Sequence, residues 1–287
     1  EKKLLTYVNT NSLNKASVVA EEILRIDKKN QEAWLAYLIN AKLNNLEMPF
    51  NEFKKERREE DLKIVEFIFF NNSQIKNNRA IAQSIFEVVQ TSMSDNNTSF
   101  RNYDYLLFYL SLCLNLNEEF DEVYYYTAKL YENIKKYEIA KKFYDKINIK
   151  HPLYIESKKN IAINKRYENN IEAAEEDLIS LINNNIGNAN LLIALADLYR
   201  STKQYKKAIL YYSKILNTNI NEDLKSNLLF MRGICYERLN NWQSAEEDFL
   251  NSLEINEDSA NTLNYLAYAW IERNMFLDRS LKMLNKA

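Results

Sequence analysis

Residues 188–216 read NANLLIALADLYRSTKQYKKAILYYSKIL. Large apolar groups at Leu192, Leu195 and Tyr199 fall three and four positions apart, a polar stretch intervenes, and the spacing resumes through Ala208 and Tyr212. A period near 3.6 broken by a polar interval predicts two amphipathic helices joined by a short turn. Similar spacing covers most of the chain. It predicts helices at 60–70 and 79–92 as well, although these fall into no common register with the rest.

The register itself is a repeat. Small residues followed four positions later by a large apolar one stand at Ala140, Ala174 and Ala208, with 174 − 140 = 34 and 208 − 174 = 34. Ala245 follows 37 residues on and Ser280 a further 35, the longer step being absorbed by the connection NTNINEDLKSN. A helix rich in large apolar groups precedes each: Leu229, Gly233 and Tyr236 before Ala245, then Leu263, Leu266, Ala267 and Trp270 before Ser280. A fixed period of this length indicates a stack of supersecondary units, none of which can bury its apolar face alone.

These residues resemble the tetratricopeptide repeat, a 34-residue pattern of W-x2-L-G-x2-Y, A-x3-F and a closing Pro. Leu192 stands at position 4 of that pattern, Leu195 and Ala196 at 7 and 8, Tyr199 at 11, Ala208 at 20 and Tyr212 at 24; Pro152 supplies the closing residue of an earlier repeat. Small residues at 8 and 20 let two helices approach closely, and large ones at 4, 7, 11 and 24 fill the space to the next repeat. The resemblance implies an all-α, right-handed α-solenoid of helix-turn-helix repeats. It divides the chain into N-terminal repeat-like helices around Ala16 and Trp34 (1–48), an irregular helical region (49–120) and five consecutive repeats (121–287).

The segments MRGICYERLNNWQSAEEDF and LNYLAY are similar to exported proteobacterial proteins of this family, with Ala267 where those carry Gly. Such relatives begin with a signal peptide and continue for further repeats. The resemblance therefore implies a periplasmic or exported protein, though the residues are equally compatible with the cytoplasm. The chain begins at Glu1, so a preceding segment is expected to have been removed. Ala287 falls at about position 27 of its repeat, and no polar capping helix follows. A truncated chain is expected, with Leu281 and Leu284 partly exposed or covered by a second copy.

Composition supports the helical reading. Two Gly and two Pro in 287 residues leave little room for hairpins or phosphate-cradling loops. The net charge of −2 favours a soluble protein with no strong electrostatic pull toward nucleic acid or anionic membrane. No window approaches the roughly 20 apolar residues of a membrane span; IVEFIFF is short and interrupted by Glu66. The Asn-rich runs are attributed to codon usage. Cys113 and Cys235 lie within apolar helical patterns and are expected to be buried free thiols. The mixed charges of ERREEDLK mark a solvated helix face.

Little here could perform chemistry. His151 is the single His, which excludes a catalytic triad or a His-rich metal site, and it is read as a loop residue. The acidic pairs Glu175–Glu176 and Glu246–Glu247 follow position 20 and are expected to face solvent. No enzymatic activity, cofactor or metal is expected. Helical repeats of similar length can read RNA one base per repeat, but only with a basic face. The corresponding positions here mix Lys159, Arg166 and Arg200 with Glu122, Glu156 and Asp197, so no nucleic-acid partner is expected.

A protein-interaction scaffold remains, holding a peptide or helix of a partner in a concave groove. A purely structural subunit of a larger assembly is the alternative. In repeats of this kind positions 2, 5, 6, 9, 12 and 13 of each first helix face the groove. They comprise Tyr125, Tyr126 and Lys129, then Lys159, Ile163, Arg166 and Tyr167, then Ile193, Asp197 and Arg200. Phe230, Met231 and Ile234 follow, and then Tyr265 and Tyr268. Asn190, Asn227 and Asn261 share these positions and are read as marking helix starts. Arg232 occupies position 7, a packing site, and so needs an acidic partner, Asp248 or Asp197.

Overall fold

The computed structural model describes residues 2–9, 12–28, 30–44, 46, 78–94 and 103–287. Among the described residues every regular element is a helix. In chain order these are α1 (Lys2–Asn9), α2 (Leu13–Ile26), α3 (Gln31–Leu43), α4 (Asn78–Ser94), α5 (Tyr103–Leu116), α6 (Asp121–Asn133), α7 (Tyr137–Tyr144) and α8 (Tyr154–Tyr167). They continue as α9 (Ile171–Asn184), α10 (Ala189–Ser201), α11 (Tyr205–Leu216), α12 (Glu222–Arg238), α13 (Trp242–Ile255), α14 (Ala260–Glu272) and α15 (Leu277–Lys286). The predicted 79–92 helix is α4. The predicted 60–70 helix and the ERREEDLK segment lie outside the described residues.

The turns between paired helices are built without glycine. Lys135, Asn169, Lys203, Asn240 and Asn274 each have φ between 55° and 62°, and they recur at 34, 34, 37 and 34 residues, the step of the repeat. Each follows the end of a first helix, and the next residue's N–H reaches back to close it: Lys136 to Tyr131, Asn170 to Lys165, Gln204 to Tyr199, Asn241 to Tyr236 and Met275 to Trp270. This is the left-handed helix stop that Gly usually fills. In two hairpins an Asn doublet does both jobs, Asn169 and Asn240 turning the chain while Asn170 and Asn241 accept the N–H groups of Ala173 and Ser244. At these positions the Asn have a structural task that codon usage does not describe. A left-handed residue with a Cβ costs about 1 kcal/mol, and Lys203 is exposed. Lys203→Gly is therefore expected to raise stability by about 1 kcal/mol. A urea midpoint that stays put or falls would show that the turn carries no such strain.

Packing divides the chain into two units, Glu1–Ser157 and Lys158–Ala287, with the boundary inside α8 and so within the 121–287 run. In the first unit α2 pairs with α3, α4 with α5 and α6 with α7, and α1 lies against α2 and α5. One core serves α1 to α6, including Leu4, Trp34, Ile85, Phe108 and Val123. Helix α5 carries a run of buried side chains from Leu106 to Leu110, as expected of a helix enclosed on most sides. Cys113 is free and buried there, its Sγ donating to the Ala82 carbonyl at 3.4 Å.

In the second unit α10 pairs with α11, α12 with α13 and α14 with α15. Each pair carries small residues at positions 8 and 20, Ala196 and Ala208, Gly233 and Ala245, Ala267 and Ser280, all buried. At Gly233 smallness is obligatory, since a Cβ there would stand 2.7 Å from the Phe249 ring. Successive hairpins are joined through position 21. Glu175 accepts the Tyr199 hydroxyl at 2.7 Å and pairs with Lys207 at 3.1 Å, and Glu246 accepts the Trp270 indole N–H. Both acceptors lie 24 residues before their aromatic donors. The expectation that Glu175 and Glu246 merely face solvent is thus corrected; a buried aromatic N–H or O–H needs an acceptor, and position 21 provides it.

Arg232 lies where the spacing predicts a charge in need of a partner. Its Nε and Nη2 donate to the two Asp248 oxygens at 2.8 and 2.7 Å, and Nη1 donates to Ser213 Oγ at 2.9 Å. Cys235, also free, is buried nearby, and burial pushes its thiol pKa up to about 12. Neither cysteine is poised to act as a nucleophile.

Candidate partner-binding surface

Helices α12 and α14 are the first helices of consecutive hairpins. Phe230 and Tyr265 meet edge to face at 5.8 Å, and the Tyr265 hydroxyl donates to Glu237 Oε2 at 3.4 Å. Between the helices runs an open cleft of about 560 Å³. Phe230 and Ala269 form its floor, Asn261, Asn264, Tyr265 and Tyr268 stand along α14, and Glu237, Arg238 and Glu272 close one end. Phe230 is buried under Tyr265 and Phe249, whereas Tyr268 is 56% exposed. The Tyr265 hydroxyl pKa is pushed up by burial and then by Glu237, so the phenol stays a neutral donor. The cleft therefore offers apolar surface, two exposed amides and a charged end, groups suited to holding a chain by contact and hydrogen bonds.

The other anticipated groove residues are placed differently. Asp197 and Arg200 join one another and the buried Tyr212. Asp197 Oδ1 accepts from the Tyr212 hydroxyl at 2.6 Å and from Arg200 Nη2 at 3.3 Å, and Arg200 Nε donates to Tyr212 Oη at 3.1 Å. Burial and then Asp197 hold the Tyr212 hydroxyl protonated. Ile163, Ile193 and Met231 are half-buried against the core around Leu195 and Tyr212, and Ile234 against that around Phe249. Arg166 donates to Ser201 Oγ at 2.7 Å and lies over the exposed Tyr167 ring; Lys159 is half-buried.

In the first unit Tyr126 packs edge-on against Phe86 at 5.2 Å, Tyr125 against Tyr144 at 5.7 Å, and Lys129 pairs with Glu132 at 2.7 Å. The structure thus gathers Phe230, Tyr265 and Tyr268 into one cleft, while packing and pairing engage many of the rest.

Three further assignments change or sharpen. Asn190, Asn227 and Asn261 do not cap helices: the cap residues are Asn188, Asn221 and Ser259, and the three Asn lie exposed within α10, α12 and α14. Glu237 and Glu272 were missed as cleft residues, although Glu272 lies 34 residues after Arg238 and the period alone reaches it. His151 is a structural loop residue. Its Nδ1 accepts the Leu153 N–H at 3.2 Å and its Nε2 lies 3.3 Å from Glu122 Oε1. Among the described residues no group of three or more His, Cys, Asp or Glu could hold a metal ion, and no helix is long and apolar enough to cross a membrane.

Family models described as tetratricopeptide repeat match residues 122–153 and 189–219, in the register set by Ala140 and Ala208. The chain carries tetratricopeptide repeats. A TPR repeat-containing protein of Methanocaldococcus jannaschii is 25% identical over 173 residues, which is 60% of this chain and 25% of that protein. Yeast Tom70 aligns over 95% of this chain and 54% of its own, with a TM-score of 0.59 and 16% identity. The APC/C hetero-tetramer Cut9–Hcn1 aligns over 96% and 49%, with a TM-score of 0.56 and 14% identity. The chain thus spans about a quarter of that curated relative and about half of those two structures. At these identities the structural likeness shows the tetratricopeptide-repeat fold alone.

Proposed function

We propose that this protein-interaction scaffold holds an extended peptide or a helix of a partner protein in the cleft between α12 and α14. The observation that carries the reading is the grouping of Tyr268, Asn261 and Asn264, exposed on one face of α14 above the apolar floor of Phe230. An exposed aromatic beside free amides gives contact area at low entropic cost and orients a backbone. The role is one of binding, not catalysis. The mixed charges around the cleft do not make the basic surface RNA requires.

Tyr268 and Asn264 are both exposed, so the variant Tyr268→Ala with Asn264→Ala is expected to keep its melting temperature. A photo-crosslinking residue at position 268 identifies the partner, and titration of that purified partner then measures affinity. The double variant is expected to bind about tenfold or more weakly. Unchanged affinity, or crosslinks equally abundant from exposed Lys206, would show that the partner uses another face.

A further inference from the structure

Consecutive second helices leave a space between them, and the stack fills it differently from one junction to the next. Between α11 and α13 the filler is Arg232, which bonds Ser213 on one helix and Asp248 on the other. Counted along the repeat, the same three positions at the junction of α13 and α15 hold Leu266, Leu250 and Met283. Leu266 is shorter than arginine and wholly buried, and an open pocket of about 350 Å³ lies at this junction. Buried Leu263 and Met283 form its floor, and half-buried Leu250 and Leu253 its walls. Exposed Glu254, Glu257 and Arg279 stand at the mouth. All of these residues belong to two hairpins that are described in full, and none of them lines the cleft between α12 and α14.

We infer that this pocket is a second docking site, separate from the cleft. Its occupant is a peptide of a partner protein that inserts one Leu, Met or Phe side chain and carries Lys or Arg beside it. Size, polarity and charge select that occupant. The volume is at the lower end for ligand sites, and the neighbouring junction holds a single side chain, that of Arg232, in the corresponding place. The Leu and Met side chains of the floor and walls offer no strong acceptor. An inserted tip bearing N–H or O–H would lose its hydrogen bonds to water, which excludes Lys, Arg, Tyr and Trp as the anchor. The charge stands at the mouth instead. Two cations of the chain close by are already engaged, Arg279 over the Trp270 ring at 4.9 Å and Lys286 with Asp258 at 2.8 Å. Glu254 and Glu257 are thus left to a cation from outside, on the residue next to the anchor.

NMR of the full chain, isotope-labelled at its methionine methyl groups, reads the pocket through Met283. The probe is a synthetic peptide with one Leu between lysines in an otherwise Gly–Ser sequence. The Met283 methyl signal is expected to shift on titration, with a dissociation constant on the order of 1 mM, as one anchored side chain allows. Replacing the peptide's Leu by Ala, or its lysines by glutamates, should weaken binding about tenfold or more. Glu254→Lys with Glu257→Lys alters only exposed side chains, so the melting temperature should hold while the preference reverses toward the glutamate-flanked peptide. A Met283 signal that stays put at several millimolar peptide overturns the proposal. So does a shift indifferent to the peptide's Leu, or a charge preference that the double variant leaves unreversed. Tyr268→Ala with Asn264→Ala should bind this peptide with unchanged affinity. Weaker binding there would put the probe in the cleft and overturn the pocket as its site, so the two proposals fail separately.

Discussion

Arg232→Ala is expected to destabilise the protein by about 3–5 kcal/mol, the cost of leaving a buried charge without its partner. Asp248 is 3% exposed, and the bidentate Arg232 contact supplies its compensating charge. Even with Arg232 in place, burial outweighs the ion pair and holds the Asp248 pKa above the usual carboxylate value. An acid whose folded pKa is raised contributes stability that is fully present below its unfolded pKa and lost as pH rises through its folded one. Removing Arg232 raises that folded pKa further. The gap between wild type and variant should therefore be widest at neutral pH and shrink on acidification toward the carboxylate range, as Asp248 takes a proton. Chemical denaturation at the two pH values measures it. A loss that is equal at both would mean that packing of the arginine stem, not charge, holds this site. Joint replacement by Met at 232 and Leu at 248 should recover most of the loss.

Trp270→Ala should cost about 3–5 kcal/mol as well, by a different route. The indole is almost wholly buried, stacks edge-on with Phe276 at 5.0 Å, lies under Arg279 and donates to Glu246. Truncation opens a cavity between two hairpins and removes the bond that joins them. Trp270→Phe keeps most of the packing and discards the donor, so it should cost about 1–2 kcal/mol. Denaturation of the two variants separates these contributions. Equal losses would assign the whole effect to the hydrogen bond, and no loss in Trp270→Phe would assign it to packing.

The helical hairpins, their period and the small residues at positions 8 and 20 were legible because they follow from spacing alone. Ala208, Gly233 and Ser280 were placed by counting, and so was the need of Arg232 for an acid; between Asp248 and Asp197 the choice required coordinates. Spacing says which face a residue occupies but not what already fills that face. Asp197 and Arg200 stand at groove positions, yet Tyr212, reaching over from α11, engages both. Tyr126 shares a groove position with Tyr265, but Phe86 comes from outside the repeat register and covers it. The Asn residues misled for a local reason. Asn188 and Asn190 are equally good capping side chains, and two residues of difference in where a helix begins decides between them. The 34-residue step of left-handed turns was also present in the sequence, disguised because Lys and Asn stand where Gly is the usual sign.

The carboxylates at position 21 set how far a disturbance travels. In a linear array each hairpin has little stability of its own and depends on its two neighbours, so the bond strength between neighbours fixes whether the stack melts as one body or frays from an end. Glu175 and Glu246 each add a hydrogen bond across such a junction, whereas Ile209 at the same position contributes only contact. The α11–α12 junction instead draws on Arg232 reaching Ser213. Hydrogen exchange should reveal this as a ladder of protection that is shared across the Glu-bridged junctions. The site of first opening under load is then set by a single side chain in every thirty-four, independent of the bulk of the core around it.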